Sequence, residues 1–487
     1  MTAQLDILIG IIPKINPDAP TVGPAVLKSH IEAHGMTCEV VDFNVKLFNA
    51  AKQHNLQNYY FEDDYIFALE HDHPELHPDF VKFYNTLEYV FLDWIEFIKQ
   101  KNPRIIGMSL LSAHSVAVAA KLGVLLKIHC PHIRILWGGA AIEYGIHVFQ
   151  ELGYCDDYIY GDGEASIIDY LKGNFTGKGI NSLDPNQVTD LNSVMIPNYD
   201  DIDWSEYQNE GHPHPVYITG SRGCVKRCTF CNVYRIWPDY YFRDGEYIAQ
   251  EIIEIKEKYD RKTFLFTDSL INGSMKAFRN LMKSLINYRQ TNSDFSWVSQ
   301  WIIRPKHQSP EEDYQSMKAS GCSMLEIGLE SFSQDIRYHM GKKFTDDDMW
   351  HCLAMLNNYD IPHVLLMIVG YPTETEADHQ HTLACIRHIF KLGWQKNTRF
   401  SFGNTLMLHR SQPLFPLIED ELEYYHSNID WKYRDNDLNT RIRRIKEVNS
   451  LIKELQNIDV QSWLTEKALK NYDKKLEGSL PNDSWLG

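Results

Sequence analysis

The chain has no uninterrupted apolar stretch approaching the roughly 18 residues that a membrane-crossing helix needs. Its first residues, Met-Thr-Ala-Gln-Leu-Asp-Ile-Leu-Ile-Gly, lack the basic flank and small-residue cleavage site of a secretory signal. These two absences set the cytoplasm as the expected location, with no membrane partner. Basic charge is also scarce: 48 Lys and Arg stand against 65 Asp and Glu, a net of −17. Broad nucleic-acid binding needs a basic face, so this balance argues against it. Cysteine is sparse and odd in number, with nine residues of which six (38, 130, 155, 322, 352 and 385) stand singly. The lone six read as small buried hydrophobes in a reducing compartment, not as a disulfide framework.

At 487 residues the chain exceeds one ordinary core, and two or three domains are expected. Residues 1–172 alternate strand and helix patterns, with apolar strand-like runs at 5–12, 38–41, 105–108, 133–137 and 157–160 and a long aromatic helix over 80–101. That alternation predicts an α/β fold, a doubly wound parallel, Rossmann-like sheet. Segment 45–78 is polar and aromatic, and its His71-Asp-His-Pro-Glu-Leu-His77 run reads as a solvated loop. Residues 173–214 are rich in Gly, Asn, Asp and Pro without periodicity and read as a linker. A second alternation over 215–412 has strands at 216–219, 263–266, 295–303, 324–329, 363–369 and 399–406. Six such units predict a partial (β/α)6 barrel, an open relative of the eightfold one. Residues 413–487 read as a helical C-terminal region.

Chemistry concentrates in Ser221-Arg-Gly-Cys-Val-Lys-Arg-Cys-Thr-Phe-Cys231, where Cys224, Cys228 and Cys231 form C-x3-C-x2-C with Phe230 before the third cysteine. Three thiolates on one loop suit three corners of a cubane [4Fe-4S] cluster and leave the fourth iron open. A zinc site or a purely structural cluster is the alternative. Zinc usually has four closed ligands in paired units, and no fourth is evident here. The loop follows a strand at the start of a βα barrel, the end at which such barrels place active sites.

The spacing resembles the signature of the radical S-adenosylmethionine (SAM) superfamily. Residues at successive strand ends strengthen the likeness. Asp268 stands where that family contacts the SAM amino group, and Arg304 where a polar residue approaches the carboxylate. Gly328-Leu-Glu330-Ser331 resembles the family's G-x-E-S stretch near ribose and carboxylate. Gly370-Tyr-Pro372-Thr-Glu-Thr375 resembles its G-x-P-G-E-T stretch near adenine, with Thr373 in place of the usual glycine. Upstream, the sheet resembles the cobalamin-binding domain that precedes many such barrels. Ser109-Leu-Leu111, Gly138-Gly139 and Gly161-Asp-Gly-Glu164 fall at carboxyl ends of its strands, the ligand edge of a parallel sheet. The D-x-H-x-x-G motif, which supplies a lower cobalt ligand, is absent; Ile12-Pro13-Lys14-Ile15-Asn16 follows the first strand instead.

The resemblance implies a [4Fe-4S] cluster, SAM and cobalamin as cofactors. It implies a small-molecule or peptide substrate and an electron donor such as flavodoxin or ferredoxin. The implied reaction is reductive SAM cleavage to a 5′-deoxyadenosyl radical, used for methyl transfer to an unactivated carbon or phosphorus. Radical cyclisation, rearrangement or oxidation without methyl transfer is the alternative enzyme, and a non-catalytic iron–sulfur protein the alternative class.

Overall fold

The computed structural model describes residues 4–60, 78–112, 114–143, 150–207, 214–402 and 406–455. The histidine run at 71–77 and everything beyond 455 lie outside the described residues. The chain divides into two compact units, with the boundary between Tyr217 and Ile218. Among the described residues, no helix is long and apolar enough to cross a membrane.

The first unit is built on β1 (Ile7–Ile11), β2 (Cys38–Asp42), β3 (Ile105–Ser109), β4 (Arg134–Gly138) and β5 (Asp157–Tyr158), in the spatial order β2-β1-β3-β4-β5. All four pairings are parallel. Because strand residues alternate faces, the continuous apolar run of β1 serves two cores. Leu8 joins Ile106, Met108 and Trp137 on one face, and Ile7, Ile9 and Ile11 join Ile105 and Leu136 on the other. The order reverses direction between β1 and β3, and ligands of such sheets bind outside the carboxyl ends at that point. The aromatic helix expected over 80–101 is two helices, Pro78–Thr86 and Glu88–Lys101. The break at Leu87 follows Asn85 and Thr86, both weak helix formers.

Residues 173–214 are fastened to this sheet. Asp201 accepts from Lys28 Nζ at 2.7 Å and from Val40 N at 2.9 Å, while Tyr207 donates to buried Asp42 at 2.6 Å. Burial pushes the Asp42 carboxyl up to about 6, against the pull of the Tyr207 hydrogen bond.

The second unit opens with β6 (Pro215–Ile218) and a short antiparallel ribbon, β7 (Ser221–Arg222) with β8 (Tyr241–Phe242). β9 (Thr263–Phe266), β10 (Ser296–Trp301), β11 (Cys322–Glu330), β12 (His363–Met367) and β13 (Thr398–Phe402) follow. Their spatial order is β6-β9-β10-β11-β12-β13, each strand beside its predecessor in the sheet, as six consecutive βα units require. The last connection, Glu376–Lys391, carries a capping box at Thr375 and Asp378.

The C-terminal region is helical at Leu438–Glu454, and also contains a hairpin, β14 (Leu422–Tyr425) with β15 (Trp431–Tyr433). It docks through buried cations. Arg441 lies 3.7 Å from the Trp431 ring centroid and donates to the carbonyls of Ile429, Trp431 and Asn436. Arg444 pairs with Glu374 at 3.0 Å, and both side chains are at most 5% exposed. Outside this pair, Arg443 bridges Glu376 and Glu447, each at 2.6 Å, and Glu447 also meets His379 Nε2 at 2.8 Å. Arginine already neutralises this Glu-His-Glu group, so it reads as an ion-pair network.

Removing one partner of a buried pair leaves the other charge uncompensated. Arg444→Ala should cost this unit about 3–5 kcal/mol of stability. Arg443→Ala, at an exposed pair, should cost about 1 kcal/mol or less. Denaturant melts of the two variants measure the difference.

Candidate functional site: a three-thiol loop on the barrel

The site grows from the turn after β6. Gly220 N donates to Asp268 Oδ2 at 2.8 Å and Ser221 Oγ donates to the other carboxylate oxygen. Arg243 braces the same turn. Its N–H donates to Gly220 O at 2.8 Å, its guanidinium donates to Thr219 O at 3.3 Å, and it pairs with buried Glu251. Gly223 then takes φ +81, and a Cβ there would collide with the Asp239 carbonyl, so only glycine can lead into the loop.

Cys224, Cys228 and Cys231 are all free and half-buried. Lys226 N donates to Cys224 Sγ at 3.4 Å, and Cys231 N donates to Cys228 O at 3.1 Å, which turns the backbone between the last two thiols. Burial raises the Cys224 thiol, and the charge of Cys231 raises it further. Burial likewise raises Cys228; Lys342 opposes that rise, while Cys224 and Cys231 add to it. The three thiols thus act on one another electrostatically. A metal that ionises all three would relieve the cost of burying them as thiolates.

Cations collect around the loop although the chain is acidic. Lys342 is buried, donates to Gly328 O at 2.6 Å, pairs with Glu330 at 3.0 Å and lies 5.9 Å from the Phe230 ring centroid. The ammonium of Lys226 is held below its usual value by burial, with Arg304 and Lys342 adding repulsion. Lys342 and Lys226 were not singled out in the sequence. Their only signal there was a lysine inside the motif and another following Gly341.

The predicted strand-end residues occupy their expected ends, but most bond to the protein itself. Asp268 is buried on Gly220 and Ser221, and burial pushes its carboxyl to about 7 despite the Ser221 hydrogen bond. Arg304 donates to the carbonyls of Asn272 and Gly273 at 2.6–2.9 Å and to Gln308 at 3.1 Å. Glu330 sits at a β-bulge with φ +65. Ser331 is buried and accepts from Ser333 N at 3.1 Å. Gly370 has φ +82, donates to Glu374 at 2.7 Å and faces Arg441, whose side chain would clash with any Cβ. The carbonyl of Pro372 lies 3.5 Å from Asn436 Nδ2. Thus the three cysteines, Phe230 and the Glu330–Lys342 pair form one neighbourhood. Asp268 stands at its base and Gly370 faces the C-terminal helix.

In the first unit, register sets Ile11 beside Ser109 and Ser109 beside Gly138 at the carboxyl edge. Leu111 is 51% exposed just beyond it. The glycines there differ in kind. Gly139 (φ +103) is pressed against the Leu110 carbonyl and Gly161 (φ +97) against the Asn186 carbonyl, so the chain itself requires both. A Cβ at Gly138 would meet Ile159 O at 3.9 Å, an ordinary contact, so the chain's own packing does not demand this glycine. Gly161-Asp-Gly-Glu164 also anchors the 173–214 segment, since Asp162 accepts from Val188 N at 2.8 Å, and Glu164 is half-buried beside it. In the Ile12–Asn16 run after β1, Lys14 is buried, 4.8 Å from the Phe83 ring centroid. Burial, with Lys14 adding, holds the His114 imidazole below its usual value.

Residues 218–386 match the family model described as the Radical SAM superfamily. The barrel thus matches a radical SAM domain over those residues. Among curated relatives, an uncharacterized methyltransferase of Pyrococcus horikoshii is 23% identical over 318 residues, covering 61% of this chain and 66% of that protein. The anaerobic magnesium-protoporphyrin IX monomethyl ester cyclase of Cereibacter sphaeroides is 21% identical over 352 residues, covering 68% and 55%. The chain therefore spans about two-thirds of one relative and about half of the other. Among solved structures, the radical SAM methyltransferase TsrM from Kitasatospora setae, with cobalamin and a [4Fe-4S] cluster bound, superposes with TM-score 0.57 at 15% identity. That match covers 86% of this chain and 75% of TsrM. The cobalamin-dependent SAM radical enzyme OxsB, with aqua-cobalamin and SAM bound, gives TM-score 0.66 at 13% identity over 98% and 71%. At such identities the likeness is one of fold: a parallel sheet ahead of a partial (β/α) barrel.

Between the ordinary aspartate pKa of about 4 and the folded value of about 7, the folded state holds a proton on Asp268 that the unfolded chain has lost. This contribution to stability therefore falls as pH rises through that window, and levels above it. Asp268→Asn keeps an acceptor for Gly220 N, turns its amide NH2 toward Ser221 Oγ as a donor, and removes the titration. Its unfolding free energy relative to wild type should rise across that window, as read from denaturant melts at each pH.

Proposed function

We propose that this chain is a cobalamin-dependent radical SAM enzyme that methylates an unactivated carbon or phosphorus of a small-molecule or peptide substrate. A flavodoxin or ferredoxin would supply the electron, and the cytoplasm is the proposed location. Residues 1–172 would bind cobalamin, 173–214 would link, 215–412 would bind the cluster and SAM, and the C-terminal region would complete the barrel's packing. The observation that carries the reading is the three-thiol loop at the carboxyl end of the first barrel strand, with buried Lys342 and half-buried Lys226 and Arg304 around it.

When bound, the cluster supplies the electron that cleaves SAM to a 5′-deoxyadenosyl radical, and cobalamin supplies the methyl carrier. The chain's own residues provide the setting. Cys224, Cys228 and Cys231 are the metal ligands, and the motif offers no fourth. Lys342 and Lys226 offset the negative charge of three thiolates. Lys342 also fixes the carboxylate of Glu330, so that this group is aimed before any ligand arrives. Phe230 packs against an apolar cluster that includes Ile336, Met340, Tyr371 and Leu414. In the first unit, Gly138, beside Ser109 at the sheet edge and not demanded by the chain's own packing, would let the cofactor approach the backbone. The similarity to the cyclase, which spans 68% of this chain, favours a second reading in which the radical closes a ring without methyl transfer.

Anaerobically reconstituted protein should bind iron and form 5′-deoxyadenosine from SAM with a strong reductant, and Cys228→Ala should lose both. Failure of the wild type to form it with a full cluster would remove the enzyme assignment. The protein should also take up hydroxocobalamin, and Gly138→Val should abolish that uptake while leaving iron content unchanged. Wild type that takes up no cobalamin would leave the ring-closing reading in place of methyl transfer.

A further inference from the structure

Three segments distant in sequence meet at one phenol. Tyr371, fully buried, has its hydroxyl 2.8 Å from Thr229 Oγ1 and 2.8 Å from His339 Nδ1. Thr229 lies between Cys228 and Cys231, and its main chain is held as well. Its N–H donates to Met340 O at 3.1 Å and its carbonyl accepts from Leu414 N at 2.8 Å. The Tyr371 carbonyl accepts from Asn436 Nδ2 at 2.8 Å, so the same residue reaches the segment that follows β15. A phenol donates one hydrogen and accepts others. With His339 Nδ1 accepting, Tyr371 donates outward and its oxygen is free to accept from Thr229. Burial keeps the His339 imidazole below its usual value, which favours the neutral ring that this direction needs.

We infer that Tyr371 is a positioning residue for the cluster ligands. Its hydroxyl fixes Thr229, and with it the turn that presents Cys228 and Cys231 to the metal. Its carbonyl makes the C-terminal region part of that support. The inference rests on reading the loop as an iron–sulfur site. Tyr371 acts through Thr229, and the bond between the two hydroxyls is what a test must isolate.

The test uses the full-length, anaerobically reconstituted protein and follows loss of visible absorbance as EDTA removes iron. Tyr371→Phe and Thr229→Val should each speed iron loss roughly three- to tenfold, the worth of one or two neutral hydrogen bonds. The double variant should be no faster than the faster single one, because both remove the same bond. Thr229→Ser, which keeps the hydroxyl, should match wild type. Wild-type rates in the single variants, multiplied effects in the double variant, or fast loss in Thr229→Ser would each overturn the inference. Thr229→Val and Thr229→Ser carry the comparison if Tyr371→Phe fails to fold. Wild type that takes up no iron, or as much iron as Cys228→Ala, overturns the cluster reading itself, a separate outcome.

Discussion

An eight-residue loop cannot hold three sulfurs in one chelating arrangement unless its backbone is fixed from outside, because the entropy of so short and polar a segment favours many shapes. Here the fixing is done at both ends. The entry is held by Asp268 and Arg243 on the turn after β6, and by the glycine conformation at 223. The exit is held at Thr229, whose main chain bonds to Met340 and Leu414. The barrel supplies the first support, and the residues after β13 supply part of the second.

The electrostatics follow from that geometry. A chain with a net charge of −17 still gathers Lys226, Arg304 and Lys342 near its thiols. Arg304 spends its guanidinium on carbonyls, and Lys342 is divided between Gly328 and Glu330. Arg304 and Glu330, two of the strand-end groups, are therefore also structural. The same atoms that hold the loops would have to exchange partners, or share them, when SAM enters.

Much of this was legible in the sequence for local reasons. The triad is contiguous, and the barrel strands are apolar runs of four to nine residues whose ends carry the marked groups. The sheet order needed only the alternation of strand and helix. What escaped notice depends on distant partners. The β14–β15 hairpin has strands of four and three residues, too short to show a period of two. Gly161 was read as a ligand-edge glycine, yet the carbonyl of Asn186, in a segment with no periodicity, demands it. Tyr371, His339 and Lys342 had no motif of their own; their placement comes from β11, β12 and the helices between.

The pairing of β12 with β13 has a practical corollary. The family match ends at residue 386, inside the helix before β13. A fragment cut there would bare the hydrogen-bonding edge of β12, from His363 to Met367, and strip Leu414 and Arg444 from their partners. Such an edge recruits strands from other molecules. The smallest piece that keeps this barrel intact is therefore longer than the segment that matches the family model, and trimming to that segment would yield an aggregating fragment.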